Sequence, residues 1–128
     1  MITFESVTPN LLVRDMAASV RFYADVLGFT IELHVPEEPP YVFASVVRGA
    51  VKVFLNDLAG VVRDFPQMTA GHTSTLFVIV DKVDELFAEV SRRAPIAMPL
   101  KDQFYGMREF AVYDPDGYLV TFAQQLQR

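Results

Sequence analysis

The feature that most limits the fold is a strand-to-helix junction that occurs twice at one spacing. Val13 recurs as Val80, Met16 as Val83 and Val20 as Phe87, each pair 67 residues apart in a chain of 128. Before the first junction, Phe4 to Val13 reads as a strand containing Pro9, which cannot donate to a ladder and so marks an edge or a break. Asp15 then caps a helix whose apolar stripe is Met16, Val20, Tyr23, Ala24 and Leu27, ended by Gly28. Around the second junction, Thr73 to Val80 reads as a strand. Asp81 caps a helix with Val83, Leu86, Phe87 and Val90 at helical spacing, and Pro95 stops it. Such a duplication implies two copies of one unit, neither able to bury its helix and sheet alone.

Each helix is followed by three strands. In the first half these are Phe29 to Val35, Tyr41 to Val47 and Ala50 to Asn56, with Pro36 to Pro40 breaking the chain and Arg48-Gly49 turning it. In the second half a short strand at Ile96 to Leu100 leads into a hairpin within Phe104 to Ala123, turned at Asp114-Pro115-Asp116-Gly117. Pro115 pre-sets φ, Asp116 suits the next turn position, and Gly117 can take positive φ. A type I turn closed by a bulged glycine sets Val112 opposite Val120, Phe110 opposite Phe122, Ala111 opposite Thr121 and Glu109 opposite Ala123. One face of that hairpin is aromatic and aliphatic; the other carries Glu109, Ala111, Tyr113, Leu119, Thr121 and Ala123. The predicted fold is α+β: two βαβββ modules forming a curved, mostly antiparallel eight-stranded sheet, with helices outside and a concave ligand face. One domain covers 1–128, with module one at about 1–57, a connection at about 58–72 and module two at about 73–128.

Composition narrows the function. With no cysteine there is neither a disulfide nor a thiolate nucleophile or metal ligand, which fits a reducing compartment. The start, Met-Ile-Thr-Phe-Glu, lacks signal-peptide features and no apolar run is long enough to span a bilayer, so a cytoplasmic protein is expected. A net charge of −5 with scattered basic residues disfavours nucleic acid as a partner. No Gly-rich phosphate loop and no Ser-His-Asp arrangement is present.

The concave face supplies the candidate site residues. Tyr41, Phe43 and Ser45 alternate with Val42, Ala44 and Val46, which places two aromatics and a hydroxyl on that side. Thr8, Asn10, Thr75 and Thr121 are more small polar groups than a plain core needs, and a ligand or ordered water would satisfy them. Glu109, on the face of Tyr113 and Thr121, could bind a cation or act as a base; an ion pair with a neighbouring arginine is the structural alternative. Arg108 falls on the core side and reads as a structural ion pair, and the two histidines, His34 and His72, read as strand-end and off-face residues.

Three segments carry a family resemblance: Pro9-Asn10-Leu11-Leu12-Val13-Arg14-Asp15, Phe22-Tyr23-Ala24-Asp25-Val26-Leu27-Gly28-Phe29 and Asp114-Pro115-Asp116-Gly117-Tyr118. Together they resemble the vicinal oxygen chelate superfamily, which contains glyoxalase I, extradiol dioxygenases and the bleomycin, mitomycin and fosfomycin resistance proteins. In its enzymes a divalent ion is held by His and Glu from four strand positions. The resemblance places those positions here at Thr8, Val53, Thr75 and Thr121, none a usual ligand for Zn, Ni or Fe. Tyr105-Gly106-Met107-Arg108-Glu109-Phe110 is similar to the Trp-Gly-Arg-Glu-Phe segment of the bleomycin-resistance-like branch, with Tyr for Trp and one extra residue.

The resemblance therefore implies a metal-free protein without cofactor. It would bind a small aromatic or cationic organic molecule through Thr8, Asn10, Tyr41, Phe43, Ser45, Val53, Thr75, Tyr105, Glu109, Tyr113 and Thr121. It also implies a homodimer that completes the groove, with Pro9 a hinge for strand exchange. The alternative is a lyase or dioxygenase of the same superfamily, using a metal at other ligands or Glu109 as base.

Overall fold

Pro9 sets where the first strand can begin. In the computed structural model, which describes residues 1–126, β1 spans Asn10–Val13, not the predicted Phe4–Val13. The proline carbonyl still accepts from the Phe54 amide at 2.9 Å, but the ring offers no N–H, and upstream of it the chain leaves the sheet with Phe4 and Val7 exposed. Asp15 then caps α1, Met16–Arg21, accepting from the Ala18 amide at 3.1 Å. The helix continues as a π-helical turn over Phe22–Val26, and module one closes with β2 (Thr30–Val35), β3 (Phe43–Arg48) and β4 (Val51–Asp57). Between the modules lies α2, Leu58–Asp64, a helix too short to show a period in the sequence and interrupted by Gly60.

Module two repeats the order: β5 (Thr75–Ile79), α3 (Val83–Ser91), β6 (Met98–Asp102), β7 (Met107–Tyr113) and β8 (Leu119–Gln125). Here one detail departs from expectation. Asp81 does not cap α3; Lys82 holds the cap position without a side-chain bond, and the Gln124 Oε1 of β8 accepts from the Val83 amide at 2.9 Å. A free helix N–H needs an acceptor, and the neighbouring strand supplies it where the local carboxylate does not.

The eight strands divide into two hydrogen-bonded sheets of four, ordered β1-β4-β3-β2 and β5-β8-β7-β6. The pairs β1/β4 and β5/β8 are parallel and the other pairs antiparallel, as a βαβββ module requires. The β7/β8 register is the one the turn chemistry predicts, with Gly117 at φ 92°. One face of each sheet enters a common core: Leu11, Val13, Val46, Val53 and Leu55 from the first, Phe110, Val112, Val120 and Phe122 from the second, with Tyr23, Leu27, Val83 and Val90 of the helical segments between them.

The modules are held together by the β7–β8 turn, whose carboxylates reach back to α1. Asp114 Oδ2 accepts from the Tyr23 hydroxyl at 2.9 Å, and its Oδ1 accepts from the Asp116 and Tyr118 amides. Asp116 accepts from the Arg14 amide at 3.0 Å, the Arg14 guanidinium at 3.1 Å and the Ser19 hydroxyl at 3.3 Å. The Tyr118 hydroxyl donates to the Leu12 carbonyl of β1. Burial first, and then the Asp114 charge, suppresses the acidity of Tyr23. The connection packs tightly against the same turn. A Cβ on Gly71, at φ 74°, would lie 1.7 Å from the Asp116 carbonyl oxygen.

Two expectations follow. Burial pushes the Asp114 carboxyl above the usual carboxylate range, against the opposing pull of its hydrogen bonds. The folded state thus holds that proton more tightly than the unfolded chain. Its contribution to stability is largest below the unfolded value of about 3.9 and is lost as pH rises from there through the raised folded value. Asp114→Asn keeps an acceptor for the two amides but has no proton to lose. In denaturant titrations, wild type minus variant stability should fall with rising pH across that window; parallel pH profiles would show that Asp114 is not the source. Separately, Gly71→Ala should destabilise by roughly 1–3 kcal/mol, since it combines an unfavourable φ with a backbone clash; an unchanged unfolding midpoint would refute the close approach.

Candidate functional site

Because one face of each sheet lies in the common core, the other face of each is turned away from it. The open face of the first sheet presents Asn10 and Leu12 of β1, Phe54 and Asn56 of β4, and Phe43 and Ser45 of β3. On the second sheet the registers set out rows: Thr75, Leu119 and Tyr113; then Phe77, Thr121 and Ala111; then Ile79, Ala123, Glu109 and Lys101. Leu33, Val35, Phe77, Ile79 and Tyr113 are all exposed apolar or aromatic groups on these two faces. The chain therefore carries two half-surfaces and does not fold the predicted residues into one hollow.

Most predicted residues stand on those surfaces. Asn10 is exposed and accepts a hydrogen bond from the Asn56 amide. Phe43 meets Phe54 edge-on at 5.2 Å, and the buried Ser45 donates to Glu32 at 3.0 Å. Glu32 also pairs with Lys52 at 3.2 Å, and the Lys52 bond, then Ser45, holds its carboxyl below the usual range. Thr75 opens β5 and is exposed, whereas Thr121 is buried in β8. Tyr113 is half exposed and lies edge-on to His72 at 6.2 Å. Tyr105, in the loop before β7, donates to Glu109 Oε2 at 2.7 Å, a bond that raises the tyrosine's pKa.

Three predicted residues fall elsewhere. Val53 is 2 % exposed and packs in the core, opposite Val46. A strand alternates faces, so the open-face position is its neighbour Phe54. The registers say the same: Asn10 pairs with Phe54 as Phe77 pairs with Thr121, both steps spanning the 67-residue repeat. Extending the repeat from the helices into the strands would have found Phe54 in the sequence. Tyr41 precedes β3 beyond a bend at Val42, so alternation does not reach it. It stacks on His34 at 4.2 Å and lines a shallow cleft with Arg14, Met16 and Asp57. Thr8 lies before Pro9, half-buried and outside any strand.

Carried onto these registers, the four positions that the family resemblance assigns to an ion become Thr8, Phe54, Thr75 and Thr121. Three hydroxyls and a phenyl ring do not fit a divalent ion, which needs imidazole, carboxylate or thiolate donors. Among the described residues no three His, Asp or Glu side chains gather as a metal centre. Arg108 is spent on structure: it binds Asp102 at 2.6 Å and Asp84 of α3 at 3.1 Å. A separate cleft of about 630 Å³ opens at the module seam, lined by Leu27, Phe29, Val78, Leu86 and Phe122 with Arg48 and Glu89 at its rim; none of the predicted residues lines it.

Residues 4–122 match the family described as the Glyoxalase/Bleomycin resistance protein/Dioxygenase superfamily. The chain is 33% identical, over 132 aligned positions, to the bleomycin resistance protein of Geobacillus stearothermophilus, covering 93% of this chain and 96% of that one. Among solved structures it is similar to TioX from Micromonospora sp. ML1, with a TM-score of 0.79, 26% identity and coverage of 96% and 100%. It is also similar to the bleomycin-binding protein of bleomycin-producing Streptomyces verticillus complexed with copper(II)-bleomycin, with a TM-score of 0.70, 26% identity and full coverage of both chains.

The assignment of faces can be checked by substitution. Val53→Ala should cost on the order of 2 kcal/mol of stability by opening a core cavity. Phe54→Ala should cost less and act on ligand affinity instead. Urea unfolding of the two variants decides: a larger loss for Phe54→Ala would mean the faces are reversed.

Proposed function

The chain belongs to the glyoxalase/bleomycin resistance protein/dioxygenase superfamily, and from that premise we propose that it is a metal-free binding protein that sequesters a small organic molecule of the bleomycin kind. The observation that carries this reading is that Phe54, Thr75 and Thr121, with Thr8 just before the first sheet, stand where ion donors would be needed, beside surfaces rich in aromatic and apolar groups. Such surfaces hold a planar guest by stacking and a few hydrogen bonds, with no chemistry demanded of them. The relatives named for bleomycin resistance and bleomycin binding support the same ligand class. A metal-dependent lyase or dioxygenase with its ion at these positions would need donors that they do not supply.

The proposal includes a homodimer. Each chain offers two open half-surfaces turned away from its own core. Setting the first sheet of one protomer against the second sheet of its partner would build two grooves per dimer. Each groove would be lined by Asn10, Phe43, Ser45 and Phe54 from one chain, and by Thr75, Tyr105, Glu109, Tyr113 and Thr121 from the other. It would also cover the exposed rows that include Phe77 and Ile79. Action in the cytoplasm, ahead of a drug's target, belongs to the same reading. No described helix is long and apolar enough to cross a membrane.

Titration calorimetry and sedimentation test it together. The purified protein should sediment as a dimer and bind two bleomycin molecules per dimer after exhaustive chelation. At a ligand concentration of 100 times Kd, stability should rise by about 2.7 kcal/mol. A stoichiometric transition metal whose removal abolishes binding, or no saturable binding of bleomycin, would defeat the reading.

A further inference from the structure

Among the described residues Glu109 finds no counter-charge, in a place where water cannot fully serve a carboxylate. It is 3% exposed, on the open face of β7, between Ala123 of β8 and Lys101 of β6. Its hydrogen bond comes from the Tyr105 hydroxyl, at 2.7 Å to Oε2. The arginine that the sequence offers as a partner is engaged elsewhere, since Arg108 binds Asp102 and Asp84. Lys101 stands opposite on β6 but makes no ion pair with it. Among the described residues no Lys, Arg or His nitrogen lies within 4.0 Å of the carboxylate. A phenol can orient a carboxylate without neutralising it, and a buried charge without a partner is costly.

The neighbourhood has the shape of a subsite. Ala111 and Ala123, both fully buried, are the smallest side chains with a Cβ and flank Glu109 on the same face of the sheet. Phe77, half exposed, stands in the adjacent row with Thr121. A carboxylate and a ring thus stand in adjacent rows of the open face, with only small side chains between them.

We propose that Glu109 anchors a cationic group of the bound ligand, a protonated amine or a guanidinium, with Tyr105 orienting the carboxylate and Phe77 flanking the adjoining apolar part. The assignment deepens the binding-protein reading by placing the ligand's positive charge at one residue. A neutral donor could fill the same lone pair, but only a cation also compensates the charge, so the site selects by charge rather than by hydrogen bonding alone.

The test needs no knowledge of the natural ligand. Benzylammonium and benzyl alcohol share size and ring and differ in charge; each is titrated into the ¹⁵N-labelled protein while the amides of Ala111, Thr121 and Ala123 are followed. A charge-assisted bond in a buried setting should favour benzylammonium by roughly tenfold in Kd. Glu109→Gln keeps an oxygen for the Tyr105 hydroxyl and should abolish that preference while leaving amide shifts in the core and the thermal midpoint near wild type. Equal affinities of the two compounds for the wild type, a preference that survives in Glu109→Gln, or no saturable shift from either would overturn the proposal. So would a preference that emerges only after Lys101→Met, because Lys101 would then be the carboxylate's partner. The result stands apart from the bleomycin titration. A benzylammonium preference without bleomycin binding removes the drug reading and keeps the anchor; bleomycin binding without the preference does the reverse.

Discussion

Two carboxylates at a hairpin tip organise this molecule. Asp114 and Asp116 are buried, yet Asp114 has the Tyr23 hydroxyl and two backbone amides as donors and Asp116 has Arg14 and Ser19. Because these donors come largely from α1 and the segment before it, the turn of module two cannot be satisfied except against module one. The consequence is orientation. The helix-side faces of both sheets are drawn into one core, and their other faces are turned away from it, with Leu33, Val35, Phe77, Ile79 and Tyr113 exposed there. Elsewhere along the seam, Arg48 at the end of β3 bonds the Leu27 carbonyl and Glu89 of α3, a more exposed counterpart. The duplication is therefore symmetric in backbone and unequal in chemistry.

The order of elements was legible because the signals were local. Turn chemistry gave the β7/β8 register residue by residue, and helical spacing gave both junctions. What escaped was decided over distance. Tyr23 reads as one more member of an apolar stripe, and only the fold reveals that its hydroxyl meets a carboxylate 91 residues away. Asp114 and Asp116 read as turn formers, which they are, and nothing local announces that they also join the modules. Val53 and Tyr41 show how a single step of alternation, miscounted or broken by a bend, moves a side chain to the other face. The division into two sheets of four also lay beyond a pattern that records which strands exist but not which edges meet.

On the metal-free reading, the difference from a metal-dependent relative extends beyond four side chains. In a metal-dependent site the charge belongs to the ion and its ligands, which the family resemblance places at the positions of β1, β4, β5 and β8. Here β4, β5 and β8 carry Phe54, Thr75 and Thr121, and Thr8 lies just before β1, while the buried Glu109 sits on β7, two residues along from the partner of Thr121. Displaced by one strand and one row, Glu109 cannot join Thr75 and Thr121 around a common ion, but it can meet a charge carried by an extended guest. The polarity is also inverted: an ion site offers a cation to substrate oxygens, whereas an unpaired carboxylate asks for a cation from the ligand. On the proposed reading, a fold with this exchange would hold positively charged molecules intact, and nearby aromatic groups such as Phe77 would give them a surface on which to lie.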